Sequence, residues 1–188
     1  MAEAVEEQQK LHHDKNVELW SQDEARLGLK PIVRRVWTLR GKRPLAHHHT
    51  RYEGLYVYLF ICPTSGQSYF LILPRVSTEL MSLALREFAQ DINPDQDKTI
   101  ALLLDNAGWH TAKDLEVPPG IVLLNISAYT LKLSPAETVV PLIREAAANQ
   151  SFTNLKALQN TLDQRCTHLI RHPDLIRAVA GFAWLPHP

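Results

Sequence analysis

Apolar and polar positions along this chain alternate in a way that predicts strands first and helices later. Residues 17–29 have the pattern of a first strand, and residues 55–62 and 67–73 are the clearest strands. The turn between the latter two, residues 63–66, has proline early and glycine last, as a type I turn prefers. We therefore expect an antiparallel hairpin over residues 55–73.

Two shorter apolar runs predict buried strands. Residues 99–104 are continuously apolar after Thr99, as in a strand buried on both faces, and the run ends abruptly at Asp105. Residues 121–124 form a second such run. Residues 32–39 are also rich in β-branched and aromatic residues and end at Gly41.

Helical periodicity appears between and after these strands. Ser77 or Thr78 can cap a helix that Asn93 and Pro94 end. Its apolar positions share one face: Met81, Ala84, Leu85, Phe88 and Ile92.

Further helices are predicted over residues 134–149 and 152–170, with a short one in the tail from Pro173. Antiparallel strands followed by a helical crossover to further strands indicate an α/β protein with a mixed sheet and helices packed on it.

Composition limits the function classes. The chain has 188 residues, 45% hydrophobic and 21% charged, which suits one globular domain and excludes a disordered chain. No apolar run approaches the roughly 20 residues that span a bilayer, and the acidic start is no secretory signal. Cys62 and Cys166 give no disulfide framework and are interpreted as small buried residues, so a reducing cytoplasm is the expected location.

Charge is balanced overall but not along the chain. Residues 30–51 contain seven Lys or Arg and no acid, with three histidines at 47–49. One interpretation is a strip that faces phosphates, and the other is a solvated hairpin edge kept unpaired by its charges.

Asp105 is the most informative single residue. A charge that ends a buried strand is costly unless it is paired or bound to metal. Asn106, Trp109 and His110 follow it, at the strand end where α/β folds commonly place their sites. The alternative is an Asp-Asn pair that only turns the chain.

Three more acids are candidates. Asp23 and Glu24 lie near the end of the first predicted strand, and alone would be read as surface charge. Glu137 lies three residues after Ser134, in a pattern that also fits a capping box with proline at the first helical position.

Brought together, such carboxylates repel and raise the pKa of at least one member, unless a cation joins them. Acidic oxygen clusters are usual ligands of Mg²⁺, and two such ions can support in-line displacement at a phosphodiester. Neither a GxSxG nor a P-loop motif competes for the chemistry.

Three blocks resemble the DDE superfamily endonuclease domain of bacterial insertion-sequence transposases, in the branch related to the mariner group. They are residues 19–26, 102–111 and 129–137, of which the second is the most specific. Asp105 and Glu137 are 32 positions apart, in keeping with that family's spacing. Val36-Trp37 and Gly41 match a recurring tryptophan–glycine pattern.

This resemblance implies a ribonuclease H-like fold, a mixed five-stranded sheet flanked by helices. It places a catalytic domain at residues 17–172, between a flexible N-terminal extension (1–16) and a C-terminal tail (173–188). Asp23, Asp105 and Glu137 are the implied catalytic residues and ligands of two Mg²⁺ or Mn²⁺ ions. Glu24 is then a neighbour and not a ligand, with Trp109 and His110 at the rim of the site in positioning roles at most.

The implied function is a metal-dependent DNA transposase catalytic domain, which cleaves phosphodiesters at transposon ends and joins the 3′ ends to target DNA. Double-stranded DNA is the expected partner, which implies a bacterial cytoplasmic protein that is nucleoid-associated when bound to DNA, and a homodimer is also expected. The N-terminal helix-turn-helix region of the family is expected to be missing here, since about 16 residues precede the first strand.

The sequence also departs from the family pattern. Ser127 and Ala128 replace a proline pair, Ser134 an asparagine, and Val140 an aromatic residue. These departures keep open a catalytically silent remnant, or a truncated half of a split transposase, that only folds or binds nucleic acid.

Overall fold

A computed structural model describes residues 16–42, 51–126 and 134–182 of the chain. Within them lie five strands and four helices. The strands are β1 (Asn16–Gly28), β2 (Gly54–Ile61), β3 (Ser68–Leu73), β4 (Lys98–Leu104) and β5 (Ile121–Asn125). The helices are α1 (Thr78–Ile92), α2 (Pro135–Glu145), α3 (Leu155–Arg171) and α4 (Pro173–Ala180).

The strands form one sheet in the order β3-β2-β1-β4-β5. β1 pairs antiparallel with β2, and β2 antiparallel with β3, whereas β4 runs parallel to both β1 and β5. The central strand β1 is therefore antiparallel to one neighbour and parallel to the other. The predicted α/β fold, a mixed five-stranded sheet flanked by helices, is confirmed.

Side chains alternate along β1 between two faces of the sheet, because successive residues of a strand point in opposite directions. Trp20 packs with Phe60, Phe88 and Leu102 on the side that α1 covers, called the α1 face below. There the Phe60 and Phe88 rings stack at 4.4 Å between centroids.

The opposite side, called the α2 face below, is covered by α2, α3 and α4. Ala25 and Leu27 of β1 are buried there against Val139 of α2 and Leu158 of α3. The odd-numbered residues of β1 thus face α2 and the even-numbered residues face α1.

Local sequence explains the predicted hairpin and first helix. Gly66 closes the turn between β2 and β3 with φ 77°, and a Cβ there would stand 2.1 Å from the Pro173 carbonyl oxygen. Only glycine suits this position, because it combines a left-handed backbone with close contact to the start of α4. Ser77 caps α1 by accepting a hydrogen bond from the Leu80 N–H at 3.3 Å, as predicted.

Some predicted boundaries were wrong. α2 ends at Glu145 and not near residue 149, since Ala148 bridges to Ile32 instead. α3 begins at Leu155, because the Asn154 side chain caps it through the Ala157 N–H at 2.9 Å.

Part of the predicted C-terminal tail is buried, whereas the basic segment is exposed. α4 buries Ile176 and Ala180 fully, so this part of the tail packs into the core. Residues 33–42 are exposed and irregular, and Trp37 is fully exposed at 104%. The histidine run 47–49, the extension 1–15 and the block 127–133 lie outside the described residues. No helix in the described ranges is long and apolar enough to cross a bilayer.

Candidate active site

The register of the sheet brings the first two predicted acids together. Ser21 of β1 lies beside Leu103 of β4 in the parallel pair. Two residues further along the chain are Asp23, still within β1, and Asp105, directly after the end of β4, so both lie beside the carboxyl end of β4. The parallel pairing of β1 with β4 thus explains why acids 82 positions apart meet.

Glu137 reaches the carboxyl end of β4 from the first turn of α2, which lies over the α2 face. Ser21 Oγ accepts a hydrogen bond from the Ala136 N–H at 3.2 Å and lies 3.2 Å from Ser134 Oγ. A side chain of β1 thereby satisfies a free amide at the start of α2. This contact fixes the helix that carries Glu137 to the strand that carries Asp23.

The capping-box alternative for Glu137 was therefore wrong. Ser134 is the N-cap residue and Pro135 does occupy the first turn, but the Ser134 side chain makes no capping hydrogen bond. The cap comes from Ser21, a residue more than a hundred positions away, and Glu137 is exposed.

Electrostatic interactions connect the three acids. Burial raises the pKa of Asp23 most, and the charges of Glu24, Glu137 and Asp105 raise it further, against a lowering hydrogen bond from the Glu24 N–H. The resulting pKa of Asp23 is about 7. Burial and then the charge of Asp105 raise the pKa of Glu137 as well. Carboxylates in this arrangement lack a balancing positive charge.

No Lys or Arg in residues 16–42, 51–126 or 134–182 forms an ion pair with Asp23, Asp105 or Glu137. The only cation-forming group in contact with one of them, among these residues, is the imidazole of His110 beside Asp105. The site is thus rich in carboxylate oxygen and poor in positive charge.

Glu24 follows Asp23 in the chain but points to the α1 face. Its Oε1 accepts hydrogen bonds from Gln22 Nε2 at 2.8 Å and Trp109 Nε1 at 3.3 Å, and lies 2.9 Å from His110 Nε2. Only 7% of its side chain is exposed. Its charge raises the pKa of Tyr58, its partner across the β1–β2 pair, to about 12, second to the effect of burial.

His110 lies inside the site and not at its rim, contrary to the prediction. Its side chain is 1% exposed, and its Nδ1 lies 2.7 Å from Asp105 Oδ1. Burial lowers the pKa of His110, but hydrogen bonds and charges from Glu24 and then Asp105 outweigh this effect, so the pKa is raised. The imidazolium form suits a position between two carboxylates.

The donor chemistry fits a hard divalent cation. Mg²⁺ needs only one or two carboxylates from the protein and keeps several waters, and crowded carboxylates gain most from such an ion. Within the described residues, however, no three His, Cys, Asp or Glu side chains stand close enough to share one ion. Since Glu137 is exposed, its carboxylate has room to rotate towards an ion, and Asp105 has 39% of its side chain open to solvent.

A family model described as DDE superfamily endonuclease matches residues 18–159 of the chain. The chain belongs to this family. The predicted recognition as a DDE superfamily endonuclease domain is thereby confirmed, and the matched span contains all three predicted acids.

A curated relative is the uncharacterized protein y4pE/y4sA of Sinorhizobium fredii (strain NBRC 101917 / NGR234). It is 33% identical over 90 residues, which cover 48% of this chain and 65% of that protein. The match therefore spans less than two thirds of the relative's length.

Solved structures of Mos1 share the fold. The Mos1 mariner paired end complex with Mn has a TM-score of 0.63 at 16% identity, over 95% of this chain and 59% of that chain. The Mos1 paired-end complex with left transposon end has a TM-score of 0.61 at 16% identity, over 98% of this chain and 61% of that chain. This likeness confirms the predicted ribonuclease H-like fold.

Sequence reasoning missed the polar residues that support the acids. Ser21 and Gln22 precede Asp23 in the chain and are both buried, on opposite faces of β1. Their place directly after Leu19 and Trp20, in a part of the strand predicted to be buried, is a signal that could have found them, because buried polar groups need partners.

Proposed function

We propose that this chain is the catalytic domain of a cut-and-paste DNA transposase. The observation that carries the proposal is the meeting of Asp23, Asp105 and Glu137 from three separate elements within electrostatic reach, in a chain of the DDE endonuclease family. Phosphodiester transfer needs acidic groups of this kind at one site.

Asp23, Asp105 and Glu137 are the residues that would hold Mg²⁺ or Mn²⁺ in this proposal, as two ions. When bound, such ions lower the pKa of water and stabilise the charge that develops on the leaving oxygen. Paired end complexes of Mos1 with Mn and with Mg are among the similar structures, which supports the choice of ion.

Two reactions are proposed at this one site. In the first, a water oxygen attacks phosphorus at the transposon end, and the bond from phosphorus to the 3′ oxygen breaks to leave a 3′-hydroxyl and a 5′-phosphate. In the second, that 3′-hydroxyl attacks a target phosphodiester and a target 3′ oxygen leaves. The task of the three carboxylates is to orient these groups in line beside the carboxyl end of β4.

DNA is the proposed partner, and the basic strip supports it. This strip comprises Lys30, Arg34, Arg35, Arg40 and Lys42, which are all exposed. The exposed Trp37 ring lies among them. Within the described residues, Arg34 alone of the strip pairs with an acid, Glu145 at 3.8 Å, and half of the Arg34 side chain is exposed. Such a strip suits phosphate contacts, which position DNA without reading its sequence.

The proposal assigns residues 17–172 to the catalytic domain. Recognition of a particular transposon end would come from a helix-turn-helix region, and a homodimer would hold two ends. Both elements follow from the resemblance to transposases, of whose length in the Mos1 complexes this chain spans about 60%.

The test is Mn²⁺-dependent nicking of supercoiled plasmid by the wild-type chain and by Asp105→Asn. We expect Asp105→Asn to lose at least about 100-fold in nicking rate, the size typical for removal of a group that supports transition-state charge. Glu79→Gln is the matched control, because it removes an exposed acid of α1 outside the site and should nick as the wild type does.

Equal nicking by wild type and Asp105→Asn would reject the enzyme hypothesis. Melting with and without Mn²⁺ then separates the remaining options, since binding to the folded state raises the melting temperature. A catalytically silent remnant should show no metal-dependent stabilisation and no nicking above the background of Asp105→Asn.

A further inference from the structure

Asp105, His110 and Glu24 form a continuous hydrogen-bonded chain across the end of the sheet, called the Glu24–His110 relay below. His110 Nδ1 lies 2.7 Å from Asp105 Oδ1, and His110 Nε2 lies 2.9 Å from Glu24 Oε1. Side-chain exposure is 39% at Asp105 but only 7% at Glu24 and 1% at His110. The buried imidazole of His110 is therefore held on both sides, and of the three side chains only that of Asp105 reaches the surface.

The buried end of the relay is fixed in place. Gln22 Nε2 and Trp109 Nε1 both donate to the same Glu24 oxygen that contacts His110. The two donors approach from β1 and from the turn that follows β4, so Glu24 has little freedom to change rotamer. An anchored Glu24 in turn fixes the ring of His110.

The relay also determines which oxygen of Asp105 is available. Asp105 Oδ1 accepts from the Ala107 N–H at 2.9 Å and lies against His110 Nδ1. Since a carboxylate is an acceptor only, the ring nitrogen carries the hydrogen. With Oδ1 engaged by two donors, Oδ2 is the oxygen left for another ligand.

Glu24 is the residue next to Asp23. The relay therefore joins the part of β1 that carries Asp23 to the carboxylate of Asp105, across 86 positions of sequence. It constrains both the direction of Asp105 and the spacing of the two acids.

We propose that Glu24 and His110 are positioning residues, which orient Asp105 Oδ2 and set its distance from Asp23 for binding a divalent cation. This inference rests on the proposed function, because it assigns Asp105 as a metal ligand. Loss of a residue that hydrogen-bonds to a metal ligand typically weakens metal affinity about 10- to 100-fold.

The experiment measures the Mn²⁺ dissociation constant of the full chain by isothermal titration calorimetry. We expect His110→Ala to raise it about 10- to 100-fold. His110→Asn keeps a side-chain donor near Asp105 but is too short to reach Glu24, so it should recover part of this loss. Glu24→Gln should weaken binding by a smaller factor, about 3- to 10-fold, because it keeps an acceptor for His110 but not its charge.

Two controls separate this inference from the proposed function. His168→Asn removes an exposed imidazole of α3 and should leave Mn²⁺ affinity unchanged. Asp105→Asn should abolish binding at the site. If the wild-type chain binds no Mn²⁺, or Asp105→Asn binds as tightly as it does, the proposed function fails and this inference fails with it.

If Asp105→Asn loses binding while His110→Ala and Glu24→Gln stay within twofold of wild type, only the positioning inference is overturned. Long-range nitrogen–proton NMR of His110 gives a readout that needs no metal. Glu24→Gln should shift the Nε2 resonance and Asp105→Asn the Nδ1 resonance, and an unchanged spectrum in both would contradict the relay.

Discussion

Asp23 and Glu24 are neighbours in β1, but the two faces of the sheet give their carboxylates opposite environments. On the α1 face, Glu24 is surrounded by Gln22, Trp109 and His110, which all approach one of its oxygens. On the α2 face, Asp23 accepts one hydrogen bond, from the Glu24 N–H at 2.7 Å, and is otherwise close to acids. The fold therefore supplies Glu24 with several hydrogen-bond partners, whereas most of the polar neighbours of Asp23 are acids.

This difference indicates that the acid on the α1 face stabilises the fold, whereas the acid on the α2 face is suited to binding a cation. A carboxylate with complete hydrogen bonding stabilises the fold and holds its neighbours, whereas one buried beside like charges destabilises the fold until a cation arrives. Sites that bind ions are commonly stabilised less well than the rest of the fold.

The largest effect is expected for Asp23→Asn in metal-free protein. Because the pKa of Asp23 is about 7 in the folded state, ionised Asp23 destabilises the fold at pH 8. We expect Asp23→Asn to raise the free energy of unfolding there by about 2–4 kcal/mol, from about three pKa units at about 1.4 kcal/mol each with an allowance for relaxation. Urea unfolding in EDTA measures this change.

Glu24→Gln is the matched variant on the other face. It should lower the free energy of unfolding by about 1–2 kcal/mol, because charge-assisted hydrogen bonds become weaker neutral ones. Changes of the same sign in Asp23→Asn and Glu24→Gln would contradict the proposed contrast between the two environments.

The second prediction concerns pH. The folded-state pKa of Asp23 lies above its ordinary value of 3.8, so the stability contributed by its protonated form is complete below about pH 4 and is lost as pH rises through about 7. The difference in unfolding free energy between Asp23→Asn and wild type should therefore be near zero at pH 4 and grow up to pH 8. A difference that does not change with pH would show that Asp23 titrates normally.

Much of the fold follows from local pattern alone. The hairpin around Gly66 and the helix capped by Ser77 depend on residues within a few positions of one another, so the sequence states them directly. The burial of β4 follows in the same way from an uninterrupted apolar run that ends at Asp105.

The support of the site could not be predicted, because it depends on pairs far apart in the chain. The contact of Ser21 with Ala136 spans 115 positions, and that of His110 with Glu24 spans 86. Neither pair leaves a spacing signal, and the capping-box pattern at Ser134 pointed to a local partner that the fold did not use. The roles of Asp23, Asp105 and Glu137 as ligands stay predictions.

The third prediction compares the caps of α1 and α2. Ser21→Ala leaves the buried Ala136 N–H and Ser134 hydroxyl without their partner, and should lower the free energy of unfolding by about 1–2 kcal/mol. Ser77→Ala removes the cap of α1 and should cost about 1 kcal/mol.

The two variants should differ in metal binding although their stabilities are similar. Ser21→Ala frees the helix that carries Glu137, so it should weaken Mn²⁺ binding several-fold, whereas Ser77→Ala should not. Calorimetric titration of both at one temperature decides this, and equal Mn²⁺ affinities would show that the Ser21 contact serves stability alone.

The smallest effect is expected in a test of whether the core of the α2 face excludes water. Cys166 lies in its core, where burial raises the pKa of the thiol to about 12, with a smaller raising effect of Asp163 and a lowering effect of Arg165. We expect iodoacetamide to leave Cys166 of the folded protein unmodified at pH 8 and to modify it after unfolding in urea, since the thiolate is the reactive form. Mass spectrometry of the labelled peptide measures this, with a Cys62→Ala variant to isolate the signal. Rapid labelling of folded protein would mean that water enters the α2 face, and the same water would solvate Asp23. Burial would then no longer explain the raised pKa of Asp23. The difference between the environments of Asp23 and Glu24 would then depend on the acids near Asp23 alone.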